Sequence, residues 1–121
     1  MSTQDNSEQN CLFCKISQGQ MKAAFVYQDK NCFAIQDINP QAPTHILVIP
    51  REHKQNIALV NDKDLLGELF QKACLIAERE KLSAPDKGFR LVVNTGPDGG
   101  QSVGHLHIHL LGGRALDWPP G

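Results

Sequence analysis

Hydrophobic positions along the chain shift between a helical and a strand period, and the shifts mark its elements. After ten polar residues, Leu12, Phe13 and Ile16 recur at one-and-four spacing and predict a short helix from Cys11 that ends near Gly19. Two apolar runs, 24–27 and 32–35, flank the turn-forming Gln28-Asp29-Lys30-Asn31 at hairpin spacing, so an antiparallel pair is expected. Pro40 and Pro43 then break regular structure, since each lacks an N–H and biases its predecessor to extended backbone. His45-Ile46-Leu47-Val48-Ile49 is nearly continuous in apolar, β-branched residues, the pattern of a central strand buried on both faces, and Pro50 stops it.

Asn61-Asp62-Lys63-Asp64 opens a long amphipathic helix. Leu65, Leu66, Leu69, Phe70, Ala73, Ile76 and Ala77 form its apolar stripe, Cys74 reads as a packing residue within it, and the segment 83–88 ends it. Phe89–Val93 predicts another strand. The last is His105-Leu106-His107-Ile108-His109-Leu110, whose strict alternation is the strand period. It sends three imidazoles to one face and Leu106, Ile108 and Leu110 to the other.

Length and charge then narrow the class. A chain of 121 residues fits one domain able to bury about two-thirds of its unfolded surface. A net charge of -1, with acidic and basic residues interspersed, offers no broad positive field, so a nucleic-acid polymer is not the expected partner. No apolar run approaches the length of a membrane span, and residues 1–10 are small and polar, read as a disordered tail rather than a signal peptide. A soluble protein of the cytoplasm is expected, with the nucleus also open in a eukaryote. In that setting Cys11, Cys14, Cys32 and Cys74 are expected as thiols rather than as a disulfide framework.

The histidine row carries the chemistry. Strand stability has no need of three imidazoles on one face, whereas neutral imidazole offers a nucleophilic or metal-binding nitrogen near neutral pH. Same-face neighbours sit about 7 Å apart, close enough to share a phosphate or, with a bend, a metal ion. The loop Asn94-Thr95-Gly96-Pro97-Asp98-Gly99-Gly100-Gln101-Ser102 leads directly into the row. Its glycines let N–H groups converge on an anion, although Gly-Pro-Asp-Gly is also ordinary turn chemistry.

Other candidates stay open on spacing alone. Asp37, at the end of a strand, reads either as an acceptor for a sugar diol or as a turn carboxylate, and His45 either as a satisfied buried donor or as part of a site. His53 reads as solvated. Cys11-Leu12-Phe13-Cys14 has the spacing of half a tetrahedral zinc site, which His53 or a histidine of the row would complete, or its thiols simply pack.

Gly100-Gln101-Ser102-Val103, the His105/His107/His109 row and Leu111-Gly112-Gly113-Arg114 resemble the histidine triad (HIT) superfamily. The stretch Asp37-Ile38-Asn39-Pro40-Gln41-Ala42-Pro43-Thr44-His45 and the ending Trp118-Pro119-Pro120-Gly121 resemble its branch of histidine triad nucleotide-binding proteins, the purine nucleoside phosphoramidases. The resemblance covers residues 11–121. It implies an α+β, HIT-like fold with a five-stranded antiparallel sheet, one long and one short helix, and a homodimer that joins two sheets.

The implied substrates are purine nucleoside monophosphate derivatives, namely adenosine or guanosine 5'-phosphoramidates and aminoacyl adenylates. Carried onto this chain, the resemblance makes His107 the nucleophile, with His105 and His45 orienting it and His109 beside the phosphate. Asn94, Gly100, Gln101 and Ser102 hold phosphate or the leaving group, Asp37 the ribose, and Leu12, Phe13, Ile35 and Ile38 the base, while Trp118 reaches the partner's site. No cofactor is required and no metal ligand is assigned. Some bacterial relatives place zinc on such a cysteine pair, which here would pair Cys11 and Cys14 with His53 and His105. Enzyme, zinc-binding module and nucleotide-responsive interaction protein are the three classes the sequence leaves to be told apart.

Overall fold

The computed structural model describes residues 10–121; apart from residue 10, the tail expected over 1–10 lies outside the described residues. The elements are α1 (Leu12–Ser17), β1 (Phe25–Gln28), β2 (Cys32–Gln36), β3 (Thr44–Pro50), a 3-10 turn (Ile57–Leu59), α2 (Lys63–Arg79), β4 (Phe89–Val92) and β5 (Ile108–Gly112). The strands make one sheet in the order β1-β2-β3-β5-β4, antiparallel at every pairing. This is the expected α+β fold, with a five-stranded antiparallel sheet, one long helix and one short one.

Local chemistry explains the boundaries. Cys11 caps α1, its Sγ accepting from the Cys14 N–H, and the chain turns away at Gly19 with φ +78°. The β1–β2 hairpin is tied by Asp29, whose carboxylate accepts from the N–H groups of Asn31 and Cys32. Asp62 caps α2 through the N–H groups of Asp64 and Leu65. The helix ends at Arg79, ahead of the predicted stop at 83–88, because Lys81 takes a left-handed backbone (φ 64°) and the Leu82 N–H returns to the Ala77 carbonyl.

The sheet is covered on both faces, which is why β3 reads as a continuous apolar run. One face packs Cys32, Ala34, Ile46, Val48, Ile108 and Leu110 against Leu69, Ala73, Ile76 and Ala77 of α2. The other packs Phe33, Ile35, Leu47 and Ile49 against Phe13, Cys14 and Ile16 of α1 and its cap Cys11. Burying one such aliphatic side chain contributes about 1.5–3 kcal/mol. Cys74 departs from expectation: it follows Ala73 by about 100° of helical rotation and so faces solvent.

Because β5 sends Ile108 and Leu110 to the α2 face, His109 projects toward α1. Leu47, its partner on β3, shares that side, and so does His45 two residues earlier.

Candidate active site

The histidine row is shorter as a strand than its alternation predicts. β5 begins at Ile108, so only His109 lies within the ladder, while His107 sits on the approach to it and His105 at the end of a bend over 103–105. The alternation of faces still holds there, since Leu106 joins the α2-side core and the rings of His105 and His107 meet Phe13 of α1 edge-on, at 5.7 and 5.1 Å between centroids. The approach is held by the Leu106 N–H, which donates to the Lys54 carbonyl at 2.7 Å.

Each ring is oriented by a different partner. His107 Nδ1–H donates to the His105 carbonyl at 2.8 Å, which leaves the lone pair on Nε2. His45 Nδ1 accepts from the Gln41 N–H at 2.9 Å, so its proton is on Nε2, 2.9 Å from His109 Nδ1 and 3.3 Å from Asp37 Oδ2. His109 therefore accepts at Nδ1 and carries its own proton on Nε2. The rings of His107 and His109 are 5.0 Å apart.

Asp37, His45 and His109 also gather ligand atoms within 4.8 Å of one another. Two imidazole nitrogens on one tetrahedral zinc would stand about 3.3 Å apart, given bonds of about 2.0–2.1 Å. The 2.9 Å separation of His45 and His109 belongs instead to a hydrogen bond. Asp37 makes a turn contact, Oδ1 accepting from the Asn39 N–H at 2.8 Å, while Oδ2 faces His45.

The second cluster corrects the sequence reading of His53. Rather than standing in solvent, its Nδ1 lies 3.3 Å from Cys14 Sγ, and its ring meets that of His105 edge-on. His105 Nδ1 lies 3.1 Å from Cys11 Sγ and 3.6 Å from Cys14 Sγ, and its Nε2–H donates to the Pro50 carbonyl at 2.8 Å. The four ligand atoms of Cys11, Cys14, His53 and His105 all lie within 4.8 Å of one another. A sulfur and a nitrogen on one tetrahedral zinc stand about 3.5 Å apart, so this donor set and spacing fit zinc. The Pro50 carbonyl supplies the outer-shell bond that such sites use to fix a histidine tautomer. The His105 ring thus faces the cysteines, and it is the His105 carbonyl that orients His107.

The loop 94–102 makes its tight path with Gly96 and Gly100 at positive φ, and a Cβ on Gly99 would stand 2.3 Å from the Thr95 carbonyl oxygen. Gln101, expected to present donors to phosphate, is buried with its amide committed to backbone. Its Nε2 donates to the Gln55 and Val103 carbonyls and its Oε1 accepts from the Gly96 N–H. Asn94 is half-buried and Ser102 is exposed at the end of the loop.

Of the residues expected at the base, Phe13 and Ile35 are buried in the α1-side core, while Leu12 and Ile38 are exposed. Trp118 is 81% exposed, in a C-terminal segment pinned where Arg90 donates to the Leu116 and Asp117 carbonyls. A cleft of about 730 Å³ between the end of α2, β4 and that segment contains none of the histidines.

Burial lowers the basicity of the whole group. His105 is pushed down to about 4, mainly by desolvation, against the bond to Pro50 that works the other way. His109 is also pushed down to about 4, by desolvation and then by His107 and His45. His107 and His45 are shifted in the same direction by desolvation. All four are neutral at pH 7. An unfolded chain binds protons on His105 and His109 below about pH 6.5 while the native chain does not until about pH 4, so stability should fall with acidification across that window. Chemical denaturation at pH 7.5 and pH 5 checks this; a midpoint unchanged between them would contradict it.

The comparisons with known proteins agree with this fold. The HIT domain family profile matches residues 18–116. An uncharacterized HIT-like protein of Synechococcus elongatus is 49% identical over 115 residues, covering 93% of this chain and 98% of that protein. A 14 kDa zinc-binding protein of Zea mays is 44% identical over 114 residues, covering 91% and 87%. The crystal structure of a HIT family hydrolase from Legionella pneumophila superposes with a TM-score of 0.88 at 53% identity, covering 93% of this chain and all of that one.

Proposed function

The chain belongs to the HIT family, and we propose that residues 11–121 act as a purine nucleoside phosphoramidase that hydrolyses the P–N bond of adenosine or guanosine 5'-phosphoramidates, and aminoacyl adenylates, through a nucleotidyl-histidine. The observation that carries the proposal is the bond from His107 Nδ1–H to the His105 carbonyl, which leaves Nε2 of a neutral imidazole as the nucleophile. The Legionella pneumophila hydrolase among its structural neighbours supports a hydrolase.

In this reading His107 Nε2 attacks the α-phosphorus. An N–P bond forms as the bond to the leaving amine breaks, and the amine nitrogen, held by a hydrogen bond from His109 Nε2–H with His45 behind it, takes a proton from solvent. Water then cleaves the nucleotidyl-histidine, which returns a proton to solvent and restores the His107 ring. Protonation suits a P–N bond because a protonated amine leaves far more readily than an amide anion, and general acid help at such a step is worth about 10²- to 10⁴-fold. Ser102 and Asn94 stabilise the non-bridging oxygens, while the N–H groups of Gly100 and Gln101 donate to the Pro97 and Gly96 carbonyls and hold the loop in shape. Gln101 shapes that loop from behind. Asp37 takes the ribose, and Leu12 and Ile38 flank the base over Phe13 and Ile35.

Zinc on Cys11, Cys14, His53 and His105 belongs to the same reading, supported by the fit of the four ligands and by the zinc-binding relative. Bound there, it would pin α1 and fix His105; the phosphorus chemistry needs no metal. Zinc ligation requires thiolates, which suits a reducing, cytoplasmic setting. A homodimer completes the proposal, with Trp118 reaching the partner's site.

Incubation with adenosine 5'-phosphoramidate, with and without chelator, tests the reading. Release of AMP and ammonia in both arms is expected. Nucleotide binding without turnover would favour an interaction protein, and zinc without either would favour a metal-binding module.

A further inference from the structure

We propose that Arg114 is a positioning residue for His109, acting at a distance through the Gln41 backbone and His45. The inference rests on the catalytic reading above for its consequence, but not for its geometry. Arg114 leaves the end of β5 and places two donors on one carbonyl, Nε and Nη2 lying 3.1 and 3.0 Å from the Gln41 oxygen, while Nη1 donates to the Ala115 carbonyl at 2.9 Å. The fork braces the loop 37–43 against the segment after the strand. Close approach of the two is built in, because Gly113 adopts φ +90° and a Cβ there would stand 2.9 Å from Pro43 Cβ.

What the brace holds still is the Gln41 N–H. That group donates to His45 Nδ1 and thereby forces the His45 proton onto Nε2, where it points at His109 Nδ1. His109 in turn keeps its proton on Nε2. If the Gln41 N–H swings away, His45 can hold its proton on Nδ1 instead. The bond between the two rings then reverses, His109 donates from Nδ1, and its Nε2 becomes an acceptor with no N–H to offer the departing amine. Asp37 Oδ2, 3.3 Å from His45 Nε2, also favours the working tautomer, so loss of Arg114 shifts the balance rather than inverting it. A guanidinium suits this task because its fixed fork reaches one acceptor twice, which an ammonium cannot do.

The test is the tautomer state itself, read by long-range ¹H–¹⁵N correlation on protein labelled at histidine nitrogen, at pH 7.5. The parent protein should show His45 and His109 each as the Nε2–H form. Arg114→Ala should show mixed populations at both rings, Arg114→Lys an intermediate mixture, and Gln41→Pro, which deletes the N–H itself but keeps the carbonyl, the largest change. Turnover of adenosine 5'-phosphoramidate should fall about tenfold in kcat for Arg114→Ala, a part of what one oriented donor contributes, with KM within about twofold.

Unchanged tautomers in folded Arg114→Ala, or in Arg114→Lys should the first fail to fold, would overturn the assignment. A parent protein that shows the stated tautomers but no turnover would instead count against the phosphoramidase reading and leave the relay standing.

Discussion

Replacing His107 with Ala or Asn will lower turnover by several orders of magnitude, as removal of a nucleophile does. Affinity for AMP should change little. The loop that would receive the phosphate is shaped by Gln101 and its glycines, not by the His107 ring, and His107 is held by a backbone carbonyl that survives the substitution. The covalent step gives a sharper readout than the rate. Rapid quenching with a labelled phosphoramidate, followed by mass analysis, should place the nucleotidyl group on His107, and the adduct should be lost in acid as a phosphorus–nitrogen bond is.

The neighbouring rings cannot substitute. His105 has both nitrogens engaged, Nδ1 with the cysteine sulfurs and Nε2 with Pro50. His109 has Nδ1 occupied by His45 and a proton on Nε2. Label on either ring, or inversion at phosphorus as in a single displacement, would refute the assignment.

Much of this was legible in the chain. The alternation from His105 to Leu110 placed the imidazoles opposite Leu106, Ile108 and Leu110, and that separation of faces holds even where the strand itself has not begun. The unbroken apolar run of β3 announced a strand covered on both sides. The remainder depends on backbone groups far away in sequence, which no residue type reveals. His53 reads as a surface residue until α1 is seen to bring Cys14 beside it. Gln101 has the donors a phosphate site wants, and only the folded loop shows them spent on the carbonyls of Gln55 and Val103. The tautomer of His109 traces back to the N–H of Gln41, and the position of that N–H to an arginine 73 residues later.

Cys14→Ser should cost the protein stability far more than chemistry. The proposal is that one zinc is bound per chain, and elemental analysis should find about one equivalent in the parent protein and a small fraction of that in the variant. Cys14 lies near both histidines of the cluster, with its sulfur 3.3 Å from His53 Nδ1 and 3.6 Å from His105 Nδ1, so its loss removes the thiolate that ties the two together. Binding free energy at such a site is folding free energy. This chain also has a sheet packed on both faces, so the variant should still fold. If removal of the metal costs about 3–5 kcal/mol, the melting temperature of a domain this size should fall by about 10–20 °C.

Below that temperature the variant should retain hydrolysis within about tenfold of the parent. The reason is that what reaches His107 from the cluster is the His105 carbonyl, a main-chain group that Pro50 and Lys54 also help to hold. Chelation should reproduce the loss of stability in the parent and leave the melting of Cys14→Ser unchanged. Absence of zinc from the purified parent would remove the metal from the account. Turnover abolished by chelation while the protein remains folded would show instead that the cluster takes part in the chemistry.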